Sequence, residues 1–71
     1  QEPEVSNTYE KVLGMHHFSS TRSHQLHDLV RQANALGLSL KEIEPIAQSA
    51  KDGAQVISDI NLWMEPNRQL R

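Results

Sequence analysis

The chain has 71 residues and a net charge of −2, from 7 Lys+Arg against 9 Asp+Glu. That length holds one small domain with a thin core, and that balance gives no general attraction to nucleic-acid phosphate or anionic lipid. The absence of cysteine excludes a disulfide or a thiolate metal site, and Tyr9, Phe18 and Trp63, the only aromatics, are too few for a single-strand stacking platform.

No apolar run is long enough to span a membrane, and no charged-then-apolar signal segment opens the chain. A cytoplasmic location is expected. The first residue is Gln1 rather than Met, so the expectation is a processed form or a piece of a longer protein.

In chain order, residues 1–6 are polar and acidic around Pro3 and read as a flexible tail. Asn7 and Glu10 have the spacing of a capping box. They are predicted to open a short helix with Tyr9, Val12 and Leu13 inward, ending at Gly14. Met15 to Ser20 has no clean period and is predicted to be a loop, with His16, His17 and Phe18 lying on the core. Ser19, Ser20 and Thr21 offer hydroxyls to cap the next helix.

The clearest grammar lies between Leu26 and Ile46. Leu26, Leu29, Val30, Ala33 and Leu36 recur at three and four, so a helix over about 22–36 carries them on one face. Gly37 stands where the pattern stops, the usual place of a left-handed C-terminal residue. Ser39 and Glu42 read as a second capping box, and Leu40, Ile43 and Ile46 restart a helical stripe. Pro45 interrupts it, because an interior proline loses a backbone hydrogen bond and clashes with the carbonyl four residues back. The outcome is either a kinked helix, or a short turn over Leu40 to Ile43 and a fresh helix from Pro45. A kink or break near Glu44 is expected.

Asp52 and Gly53 close that element, and Asp52 can cap the next. Val56, Ile57, Ile60, Trp63 and Met64 then form an amphipathic stripe. Pro66 is expected to end it, since the residue before a proline avoids the helical region. Residues 67–71 read as a C-terminal tail, which leaves residues 7–66 as a single helical domain. No stretch alternates at period two, so no strand is predicted.

Candidate chemistry is thin. His24 and His27 are three apart on one helical face, a usable ligand spacing, with His16 and His17 upstream. No recognised metal motif completes the set, and solvated polar residues are the expected role. Ser19, Ser20, Ser23, His24 and Asp28 are neighbours in sequence, but catalytic groups meet in a cleft and not along one helix. No catalytic, cofactor or metal residue is therefore expected. Lys41, Glu42 and Glu44 read as a solvated face. Leu62 lies off the α-helical stripe of the last helix, beside Trp63 and Met64. Tryptophan and methionine are enriched at interfaces, so Leu62, Trp63 and Met64 are the candidate partner-binding residues. The partner is another protein or a second copy in a homodimer.

Leu29, Val30, Arg31, Ala33, Leu36, Gly37, Ser39, Leu40, Glu42 and Ile43 together resemble a segment of the MerR family of transcription regulators. There a similar stretch forms a helix pair beside the DNA-reading helices. The resemblance covers 18 of the 71 residues, Leu29 to Ile46. It implies a helix-turn-helix-like pair, Arg31 near a phosphate backbone, and a helix from Ala54 that pairs two subunits. If DNA is bound, Lys41 is the further candidate nucleic-acid contact. The expectation is thus an all-α bundle of three to five short helices. Its core is Leu29, Val30, Ala33, Leu36, Leu40, Ile43, Ile46, Ile60 and Trp63. The expected role is a non-enzymatic regulatory module that binds protein, with direct DNA binding as the alternative. DNA ranks second because Glu42 and Glu44 would face phosphates.

Overall fold

The computed structural model describes residues 3–69. Four α-helices succeed one another: α1 (Pro3–Leu13), α2 (Ser20–Ala35), α3 (Ile43–Ser49) and α4 (Gly53–Gln69). A single 3-10 turn, Leu40–Glu42, leads into α3. No strand occurs among the described residues. Helix α1 lies against α2 and α3, and α4 lies against the same two, so the four close a ring of contacts. The interior of that ring is the core.

The buried set obeys the helical period. Val5 and Val12 enter from α1, and Leu26, Leu29, Val30 and Ala33 from α2. Leu40, Ile43 and Ala47 come from the middle segment, and Val56, Ile57, Ile60 and Met64 from α4. Each fully buried aliphatic side chain contributes about 1.5–3 kcal/mol. Tyr9, Leu13, Phe18, Leu38, Ile46 and Trp63 pack on this core while remaining partly exposed. Leu36, expected inside, is exposed. It is the C-cap that follows the last residue of α2, and there the chain enters the turn at Gly37.

The first helix begins earlier than expected. Pro3 opens α1 and Val5 is buried to 2% exposure, so residues 3–6 are not a tail. Proline is welcome in a first helical turn, Glu4 complements the helix dipole there, and Val5 extends the stripe of Val12 by two turns. Asn7 and Glu10 consequently sit inside the helix and cap nothing. Gln1 and Glu2, the rest of the expected tail, lie outside the described residues.

The turn after α2 has the anticipated geometry. Gly37 has φ of +78°. Its N–H donates to the Asn34 carbonyl at 3.0 Å, and the Leu38 N–H donates to the Ala33 carbonyl at 3.0 Å. These are the paired hydrogen bonds of a Schellman motif. At the other end, the Ser19 Oγ accepts the Arg22 N–H at 3.2 Å and starts the helix at Ser20.

The expected Ser39–Glu42 capping box does not form. The Ser39 carbonyl already accepts the Glu42 N–H at 3.2 Å, closing the 3-10 turn, and the Ser39 side chain caps nothing. The break falls between Glu42 and Ile43, two residues before Pro45. Pro45 is then the third residue of α3, where a first-turn N–H has no helical partner to lose.

Helix α4 is capped by Asp52, whose Oδ1 accepts the Gln55 N–H at 2.9 Å. The Gln55 Oε1 in turn accepts the Lys51 N–H at 2.9 Å. Gly53 at its first turn is buried against the α1–α2 loop. The helix continues through Pro66 to Gln69, so Pro66 does not end it and residues 67–69 belong to the domain. Leu62 and Pro66 are both exposed, so water can serve the carbonyl that the proline leaves without a helical donor. Leu70 and Arg71 lie outside the described residues.

Candidate interaction surface

The three candidate partner-binding residues part company. Met64 is fully buried in the core and so is not a partner contact. One turn of 3.6 residues carries it back under Ile60, onto the inward stripe. Trp63 is half-buried, and its indole Nε1 donates to the Glu42 Oε1 at 3.2 Å. That bond links α4 to the 3-10 turn. Leu62 is 72% exposed.

Leu62 and Trp63 border an open trough of about 500 Å³ between α3 and α4. Pro45, Ile46 and Ser49 form its α3 wall, and Asp59 stands at its edge on α4. Pro45 places a rigid ring on that wall because α3 begins at Ile43. A hollow on the other flank of Leu62 is bordered by Ser58, Asn61 and Glu65. Leu62 is therefore a ridge between two depressions, and no side chain of the described residues covers it. Large apolar residues in that setting mark interaction sites more often than scattered single leucines do.

Arg31 and Lys41, the candidate nucleic-acid contacts, are both exposed. Arg31 is on α2, where it borders a surface hollow with Asp28, Gln32 and Ala35. Lys41 is on the 3-10 turn. Neither has an ion-pair partner among the described residues. The second helix of the pair, α3, has the sequence IEPIAQS and carries no basic residue. Its Glu44 pairs with Lys11 of α1 at 3.4 Å.

Three of the four histidines have structural roles, and His17, expected on the core, is exposed instead. The His16 Nε2 donates to the Ala47 carbonyl at 2.8 Å and anchors the α1–α2 loop on α3. The His24 Nδ1 donates to the Ser20 carbonyl one turn back. His27 meets the Tyr9 ring edge-on, with centroids 4.9 Å apart, a favourable aromatic geometry. Among the described residues, no three His, Cys, Asp or Glu side chains come together as a metal-ion site would require.

Arg68 falls in the expected C-terminal tail, yet the fold gives it a place. It is half-buried in a small polar depression between α2 and α4. Its Nη2 donates to the Gln32 Oε1 and to the Asn61 Oδ1, each at 3.0 Å, and its Nη1 donates to the Glu65 Oε1 at 3.1 Å. The i,i+3 spacing from Glu65 is visible in the sequence, whereas Gln32 is reached only through the fold. These bonds engage three of the five guanidinium N–H donors and clasp the end of α4 to α2.

No described helix is long and apolar enough to cross a membrane. No family model, curated protein or solved structure matches the chain.

Proposed function

We propose that the chain is a small non-enzymatic regulatory module that works by binding another protein or a second copy of itself. The observation that carries this reading is Leu62, exposed at 72% on a ridge beside the Trp63 trough. Interface anchors are enriched in tryptophan, and Trp63 stands beside Leu62, hydrogen-bonded to Glu42. Transcriptional control is the setting that the MerR-like segment suggests.

The second reading is a helix-turn-helix DNA-binding regulator contacting phosphate through Arg31 and Lys41. The Schellman turn between α2 and the next helix favours it, since that is the compact joint such a pair needs. Two features rank it lower. The net charge is −2, and α3 offers no Lys or Arg to a groove. Duplex binding no tighter than non-specific, roughly 10⁻⁴ to 10⁻⁶ M at physiological salt, is expected.

The test compares wild type with Leu62→Glu as baits in native cell extract, with duplex DNA titrated over a salt series alongside. A protein retained by wild type and lost by the variant supports the module. Equal retention by both sinks the role of Leu62. A tight, sequence-selective duplex complex whose affinity falls steeply with salt reverses the ranking.

A further inference from the structure

The charge around the trough narrows what can fill it; this inference rests on the docking role just proposed. The trough carries one charged group, Asp59, and the hollow beyond Leu62 carries Glu65, while neither is bordered by Lys or Arg. Asp59 and Glu65 stand three residues to either side of Leu62, one on each flank of its ridge. Glu42 adjoins through its bond to the Trp63 indole. Glu65 shares its charge with Arg68 at 3.1 Å. Asp59 and Glu42 have no ion-pair partner among the described residues.

A second copy fits this pattern poorly. A twofold contact is self-complementary. With its axis along α4 the copies run parallel and Asp59 meets Asp59. With its axis perpendicular to α4 at Leu62 they run antiparallel. Leu62 then meets Leu62, and Asp59 meets Glu65 at both ends of the contact. Like charges brought together across an interface disfavour the pairing.

We propose that the trough docks an amphipathic helix of another protein that carries Lys or Arg beside its apolar anchor. The anchor seats between Leu62 and Trp63, and the basic residues meet Asp59 and Glu42. Helix-in-groove recognition uses apolar anchors at i, i+3 and i+4, and a basic residue three or four positions from an anchor falls on the same face. The trough is shallow and open rather than enclosed, a shape suited to a helix face laid along it. The apolar contact supplies affinity, and the carboxylates supply orientation and selectivity.

Trp63 is the only tryptophan, so its emission reports occupancy directly. The probes are two tryptophan-free synthetic amphipathic helices of about four turns, one of Leu and Lys, the other of Leu and Glu with the same apolar face. The Leu/Lys peptide is expected to shift Trp63 emission saturably and the Leu/Glu peptide to leave it unchanged. Leu62→Ala should weaken the Leu/Lys complex about tenfold and Asp59→Asn about fivefold. Both side chains lie outside the core, so both variants are expected to fold. Equal binding of the two peptides, or Leu/Lys binding indifferent to both substitutions, overturns the basic-helix assignment. So does binding of neither peptide, and Leu62-dependent capture from extract then tells whether the docking role survives without it. A wild-type dimer in sedimentation that Leu62→Glu dissociates overturns the assignment in favour of a second copy.

Discussion

Gly37 and Gly53 both sit at helix boundaries, and opposite physics requires a glycine at each. Gly37 has φ of +78°, and a Cβ built on it meets nothing within 4 Å. The constraint there is conformational: the left-handed backbone disfavours an L side chain even in open space. Gly53 has no positive φ, but a Cβ on it would lie 2.5 Å from the His17 carbonyl oxygen and 3.1 Å from the Phe18 ring. The constraint there is proximity, because α4 starts hard against the α1–α2 loop. A local rule is visible in local sequence. A close approach between segments far apart in the chain is not.

Substitutions at the two positions should therefore rank differently. The largest effect is expected from Gly53→Ala, at about 1–3 kcal/mol of stability by overpacking. Phe18→Leu should not relieve it, since the nearest atom is a backbone carbonyl that cannot rotate away. Urea denaturation of the two single variants and the double variant checks this, and complete rescue by Phe18→Leu would refute the carbonyl contact. Gly37→Ala is expected to cost about 1 kcal/mol. Asparagine reverses the order at the two sites. Gly37→Asn should be milder than Gly37→Ala, because asparagine tolerates the left-handed region, whereas Gly53→Asn should be worse than Gly53→Ala because it is larger.

The same division separates what is legible in the chain from what is not. The stripe from Leu26 to Ala33, the Gly37 turn, the Ser19 and Asp52 caps and the inward face of α4 all obey rules spanning a few residues, and the structure has them. The start of α1 is hidden because its polar outer face resembles a tail, and Val5 is a lone apolar residue until Val12 is placed beneath it. Pro66 looks like a stop because the clasp of Arg68 on Gln32 reaches across 36 residues. Leu62 is recognisable as off-stripe. The Pro45 and Ile46 wall facing it is not, since only the α3–α4 packing brings that wall there.

Ser19 and Ser39 extend the comparison to caps of equal sequence merit. The Ser19 Oγ accepts a backbone N–H, and the Ser39 side chain does not. Ser19→Ala should lower stability by about 1 kcal/mol, while Ser39→Ala should stay within about 0.5 kcal/mol of wild type. Thermal unfolding of both variants gives the answer. A comparable loss at Ser39 would mean that the capping box exists in solution and that the 3-10 turn is not the resting state of this segment.

The smallest effect on stability is expected where the effect on binding is largest. Leu62 and Met64 are two residues apart on α4, yet one is 72% exposed and the other is buried completely. Two residues on a helix are about 200° apart, which turns one side chain outward when the other faces the core. Met64→Glu places an unpaired carboxylate among Leu, Ile and Val side chains, a severe loss. Leu62→Glu moves a charge only into water, so its stability should fall within about 0.5 kcal/mol of wild type in urea denaturation. A large stability loss from Leu62→Glu would mean that this leucine is covered within the folded chain, and the α4 ridge would then have no free apolar face to offer a partner.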